Sequence, residues 1–195
     1  MTLLRLAATD PSDDLQRARA EVVAALPGDD THEAHRRTIL SFIDAHADAL
    51  LRTCGPGHLT SSALVVDAAG ERVLLLEHRK LRRWFQPGGH ADGEANLARS
   101  ALREATEESG IDGLTVFGPA IDLDVHAVRP PGEPEHLHLD VRYLVIAPAG
   151  AVATHNHEST GQRWVAAGEL DPFDPDDGLR RLVRRGLELA GRPTG

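Results

Sequence analysis

The chain is poor in sulfur and in lysine, with one cysteine, one methionine and a single lysine, Lys80, in 195 residues. The lone cysteine, Cys54, has no partner for an internal disulfide. It sits in helical apolar spacing with Leu50 and Leu51, which reads as a packed thiol rather than a nucleophile. A chain without internal disulfides is expected in the cytoplasm. Long apolar runs are also missing: no stretch of about 18 apolar residues occurs, so no membrane span is expected. The opening residues MTLLRLAATDPSDD lack the apolar run of a signal peptide. Positive charge is scarce too. The net charge of −9 disfavours non-specific contact with nucleic acid. It still admits a phosphorylated small molecule, because bound metal ions invert a local field.

What is present is a globular composition, 41% hydrophobic, long enough for one large domain or a domain with an extension. Residues 1–57 read as an N-terminal helical extension and residues 58–195 as the main domain. Ser12 or Asp10 can cap a first helix that runs to about Leu26 and closes at Pro27-Gly28. A second helix starts near Asp30, with Glu33 placed for a capping box. Its apolar positions Ile39, Leu40, Phe42, Ile43, Ala47, Leu50, Leu51 and Cys54 follow a 3.6-residue period up to Gly55-Pro56-Gly57. The pair is expected to pack on the main domain or on a partner subunit, which leaves a homodimer open.

From His58 the texture turns to strands. Residues 62–66 and 72–77 flank a glycine-containing turn and read as a hairpin. A basic segment follows, His78-Arg79-Lys80-Leu81-Arg82-Arg83-Trp84, whose charges suit phosphate. Further strand texture covers 114–117, 121–128, 136–147 and 162–165. A last helix, 177–190, buries Leu179, Leu182, Val183, Leu187 and Ala190 while exposing arginines. Asp122, Asp124 and His126 alternate with apolar residues, as do His136, His138, Asp140 and Arg142. If these strands pair, they form a polar row. A solvent-facing side of a half-buried sheet is the favoured reading of that row, and a second metal or ligand site the alternative.

The sharpest stretch is Phe85–Ile111, FQPGGHADGEANLARSALREATEESGI. A Pro-Gly-Gly turn leads through a polar loop into an amphipathic helix that stops at Gly110. Spacing of three and four residues sets Glu104, Glu107 and Glu108 on one patch. Three crowded carboxylates repel one another, and a hard divalent cation relieves them. A solvated acidic helix face is the plainer explanation.

The preceding turn decides between the two. Gly89, Arg103, Glu104, Ala105, Glu107, Glu108, Gly110 and Ile111 fill, in register, the signature of the Nudix hydrolases, which this stretch resembles. Ala95 stands where the family carries a loop glutamate, and the nearest carboxylate is Glu94. Either Glu94 takes over the bracing of Arg103 or Arg103 is braced differently. The resemblance implies an α/β (α+β) fold, a mixed β-sheet sandwiched between helices, with the helical extension added in front. It also implies Mg²⁺- or Mn²⁺-dependent cleavage of a pyrophosphate bond in a nucleoside diphosphate linked to another moiety. Glu104 and Glu108 would hold metal, Glu107 would hold metal or orient water, and Arg103 would brace the carboxylates. By the same resemblance the Gly88 carbonyl is a ligand, and Glu158, ahead of a Trp-containing strand, is a further ligand or base. Arg79, Arg83, Trp84 and His90 are the candidate substrate contacts, although Trp84 reads rather as core.

Two other tasks fit related domains. A nucleotide sensor that binds without cleaving is the first, and the intact helix quartet opposes it. An isoprenoid diphosphate isomerase is the second, but that chemistry needs a catalytic cysteine, and Cys54 lies far off in the first helices. Substrate choice is expected to rest with residues 78–84, 129–135 and 154–160.

Overall fold

The computed structural model describes residues 4–7, 10–130, 132–154 and 159–191. The chain runs β1 (Leu4–Arg5), α1 (Leu15–Ala24), α2 (Asp30–Ala45), β2 (Gly57–Val66) and β3 (Arg72–His78). Next come β4 (Trp84–Phe85), β5 (Gly88–His90), α3 (Leu97–Ser109) and β6 (Thr115–Val128). It ends with β7 (His136–Ile146), β8 (Ser159–Ala166) and α4 (Asp177–Ala190). The strands form one mixed sheet in the order β1-β6-β7-β2-β3-β4, with β5 added to β2 and β8 to β3.

β2 is the axis of that sheet. All ten of its residues are buried, and it pairs in parallel with β7 along its whole length, Gly57 opposite Leu137 through Val66 opposite Ile146. Its odd-numbered residues Leu59, Ala63 and Val65 join a core with Ala18, Val22, Ile39, Ile43, Leu97, Ala101 and Tyr143. Its even-numbered Leu64 and Val66 join a second core with Leu179, Leu182 and Val183 of α4. Helices α1, α2 and α3 therefore cover one face and α4 the other. This is the expected sandwich, and α1 and α2 share the first core with the main domain rather than standing apart.

The elements largely match the sequence expectation, with three corrections. First, the cap of α1 is Asp14, whose side chain accepts from the Gln16 amide; Ser12 Oγ accepts from the Asp14 amide one step earlier. Second, α2 ends at Ala45 instead of continuing to Cys54. Beyond it the chain tightens into three-residue turns, with amides of Ala49, Leu51 and Cys54 donating to carbonyls of His46, Asp48 and Leu51. Turns of that pitch still bury Ala49, Leu50 and Cys54, so apolar periodicity outlasts the helix. Third, the two stretches expected at 114–117 and 121–128 form one strand, β6, from Thr115 onward, whose register with β7 slips between Phe117 and Asp122. Pro119 sits in the slip and has no amide to give to a ladder.

Candidate active site

The signature helix α3 opens on Asn96, whose side chain accepts from the Arg99 amide, and closes on Gly110 in the left-handed region at φ 62°. Leu97, Ala98, Ala101 and Ala105 pin its apolar stripe to the sheet. Glu104 and Glu108 flank that stripe, with Arg103 and Glu107 further round the helix. Glu104 and Glu108 meet the diglycine strand β5, which pairs with β2 as Ser61 opposite Gly89 and Ser62 opposite Gly88. A Cβ on Gly89 would stand 2.5 Å from Cδ of Glu104, so any other residue there would displace that carboxylate. The Gly88 amide donates to Glu108 Oε2 at 2.9 Å. Arg103 Nη1 lies 2.8 Å from Glu104 Oε1 and 3.4 Å from Glu107 Oε2. Glu104 is mostly buried, and Glu107 reaches outward with 58% of its side chain exposed.

The loop glutamate has a different occupation. Glu94 Oε1 accepts from the amides of Ser12 and Asn96, each at 2.8 Å, and its Oε2 accepts from Arg99 Nη1 at 2.8 Å. Arg103 is thus braced by Glu104 and Glu107 of its own helix, with Ala95 fully buried beneath the loop. Glu158 falls outside the described residues.

The basic segment divides. Arg83 lies over the Phe85 ring at 5.3 Å and 3.7 Å from Asp176, and Arg79 donates to the Ser159 carbonyl at 3.4 Å. Trp84 stacks edge-on against Phe173 at 5.1 Å, part of the α4-side core as its core reading expected.

The polar row on β6 and β7 is a correction. Except at His126, whose side chain is exposed, it does not face solvent: Asp122, Asp124, His136, Asp140 and Arg142 are buried. Arg142 contacts Asp140 at 2.7 Å, Asp124 at 3.1 Å and Asp122 at 3.3 Å. Arg181 of α4, one of the arginines expected outside, turns inward to Asp122 at 3.0 Å and Asp124 at 2.9 Å. His32 of α2 adds a contact to Asp122 at 3.2 Å, while Thr60 and Ser62 hydroxyls donate to Asp140. Burial alone would raise the Asp124 carboxyl, but the His126 hydrogen bond and the two guanidiniums hold it well below the usual carboxylate range. Asp122 is lowered against the same burial by His32, Arg181 and Arg142.

At the end of this row the histidines gather. His138 lies opposite both His58 of β2 and His126 of β6, and His90 sits two residues along from His58 through its pairing with Thr60. Ring centres of His58 lie 4.9 Å from His90, 4.9 Å from His136 and 5.0 Å from His138. Burial pushes His90 down to about 4 and His138 down to about 3, and lowers His58 as well. His58 is 3% exposed, and neither of its ring nitrogens meets a hydrogen-bond partner among the described residues. Leaving such an atom unanswered costs about 1–3 kcal/mol. Cross-strand partners share a face, so His90 stands on the α4 side while Gly89 beside it faces α3. The candidate substrate contact His90 therefore lies behind the sheet from the carboxylates.

A separate cavity of about 350 Å³ opens beside α1, lined by Leu6, Glu21, Asn96, Pro119 and Tyr143 among others. It contains none of the signature carboxylates. Burial raises the Glu21 carboxyl there, against a hydrogen bond from the Tyr143 hydroxyl.

The NUDIX domain profile matches residues 57–185, and the chain belongs to the Nudix family. Its class is that of the pyrophosphohydrolases, enzymes that generally work with divalent metals. A Bacillus subtilis (strain 168) protein provisionally named 8-oxo-dGTP diphosphatase is 24% identical over 110 residues, 56% of this chain and 68% of that one. A Mycobacterium tuberculosis (strain ATCC 25618 / H37Rv) protein provisionally named 8-oxo-dGTP diphosphatase 3 is 31% identical over 110 residues. That match spans 52% of this chain and about half, 48%, of the relative. Among solved structures, a C. elegans Ap4A hydrolase superposes with a TM-score of 0.56 at 20% identity, covering 69% of this chain and 98% of that one. The E. coli dihydroneopterin triphosphate pyrophosphohydrolase gives 0.53 at 18% identity, covering 67% and 94%. At those identities the structural likeness speaks for the fold.

Proposed function

We propose that this chain hydrolyses the P–O–P link of a nucleoside diphosphate joined to another moiety, using Mg²⁺ or Mn²⁺ held by Glu104, Glu107, Glu108 and the Gly88 carbonyl. The observation that carries the reading is the contact between the diglycine strand and the acidic helix: Gly89 leaves room for the Glu104 carboxylate, and Gly88 fixes Glu108. The donors are carboxylate and carbonyl oxygens, the set that hard divalent ions prefer. When bound, such an ion neutralises phosphate oxygens and lowers the pKa of a coordinated water. Arg103 holds Glu104 in place and shares its charge with Glu107. Glu107, the most exposed of the three, is placed to orient water or take its proton. Arg79 and Arg83 of the basic segment, with Glu158, complete the proposed substrate-side set. The 8-oxo-dGTP diphosphatase names of the relatives make oxidised nucleoside triphosphates natural members of a test panel.

The extension, residues 1–57, is proposed to serve as packing for this domain, and a cytoplasmic setting agrees with the buried thiol of Cys54. Among the described residues no helix is long and apolar enough to cross a membrane. The test is hydrolysis of diphosphate-linked nucleotides and nucleoside triphosphates with Mg²⁺, Mn²⁺ or chelator. Glu108→Gln is expected to lower kcat by about 10²-fold or more with the fold intact. Wild-type turnover in that variant at saturating Mg²⁺ would remove the site. The diversion of Glu94 to Ser12 and Arg99 keeps a second reading open, a sensor that binds nucleotide without cleaving it. Calorimetric binding without turnover across the same panel would favour it.

A further inference from the structure

We propose that His58, His136 and His138 bind one divalent transition-metal ion of the zinc class, at a site separate from the signature carboxylates. One ligand nitrogen from each of these rings lies within 4.8 Å of the others. A tetrahedral zinc site holds its nitrogens roughly 3.3 Å apart, so small side-chain rotations bring the three rings onto a common ion. The second observation is independent of the clustering. His58 is almost wholly buried, and both its ring nitrogens lack a hydrogen-bond partner among the described residues, as does Nε2 of His138. Histidines retained only for packing would be answered by a carbonyl or a carboxylate, as His32, His35 and His126 are in this chain.

The surroundings resemble a ligand shell on one further count. His136 Nδ1 is 2.9 Å from the Pro134 carbonyl, which fixes the ring and leaves Nε2 as the metal-facing atom. Three imidazoles select zinc, cobalt, nickel or copper over magnesium, whose preference is for oxygen. They also leave a fourth position. His90, with its ring centre 4.9 Å from His58 and 5.1 Å from His138, is the side chain beside it. The ion would join β2 to β7 directly behind the diglycine strand. It does not depend on the proposed hydrolysis.

The test uses the full chain carrying Glu104→Gln, Glu107→Gln and Glu108→Gln, so that the carboxylate site is silenced. Metal-free protein is titrated with Co²⁺ and followed by visible absorption. One equivalent with the bands of tetrahedral cobalt, displaced by Zn²⁺ and indifferent to Mg²⁺, is expected. His138→Gln or His136→Gln in the same background should weaken binding by about 100-fold or more. Absence of the bands in a correctly folded titrand, or bands unchanged in both histidine variants, overturns the proposal. Should the histidine variants fail to fold, X-ray absorption of the zinc-loaded protein still decides. Imidazole scattering supports the site, and an all-oxygen shell overturns it.

Discussion

Gly89 shows how little space separates helix from strand at the candidate site. An alanine there would press its methyl against the Glu104 carboxylate at 2.5 Å, and that carboxylate is already held by Arg103. Gly89→Ala is therefore expected to reduce kcat/KM by about 10²-fold while circular dichroism stays unchanged, the cost of a displacement near 1 Å at the chemistry. Arg103→Ala should lose activity too and weaken the response to Mg²⁺, read as a raised half-saturating metal concentration. At this scale the sequence was informative because the signature fixes both residue type and spacing. Glu94 shows where it stopped. Nothing in the local sequence says that its carboxylate is spent on the Ser12 amide, 82 positions away.

The row of β6 and β7 gathers buried charge of both signs inside the fold. Asp122, Asp124 and Asp140 surround Arg142, with Arg181, His32, His35 and His126 facing them from α4, α2 and β6. Arg142→Met would take the shared guanidinium from three buried carboxylates, leaving Asp140 with only the Thr60 and Ser62 hydroxyls, and is expected to cost about 3–5 kcal/mol in urea unfolding. Asp122 and Asp124 are both lowered from the ordinary value of 3.8. Folding then holds them ionised where the unfolded chain takes up protons. Their contribution is complete above about pH 4 and drains away as the pH falls further. Urea midpoints at pH 5 and pH 3 should differ markedly in the native chain and much less in Asp122→Asn/Asp124→Asn. The alternation of these strands was legible, but its burial was not. Period-two polarity looks the same whether water or a helix lies against it, and Arg181 sits 57 positions beyond Asp124.

For the molecule as a whole, the sheet and its flanking helices followed from hydrophobic period and turn residues. The true end of α2 did not, since tight turns imitate helical spacing. The helical extension belongs to the common core: Ile39 is fully buried in the cluster that also holds residues of β2, α3 and β7. Ile39→Ala is expected to cost about 2–5 kcal/mol of global stability, measured by urea unfolding.

The segment at residues 10–12 reaches further than its position suggests. Asp10 and Ser12 carbonyls accept from the Asn96 side chain and the Ala95 amide, and the Ser12 amide donates to Glu94. The region matched by the family profile, 57–185, does not include them. A shortened copy starting at Gly57 would keep every letter of the signature, yet its acidic helix would begin on frayed, unanswered groups. Whoever trims this protein to its recognisable part cuts the mooring line of the acidic helix.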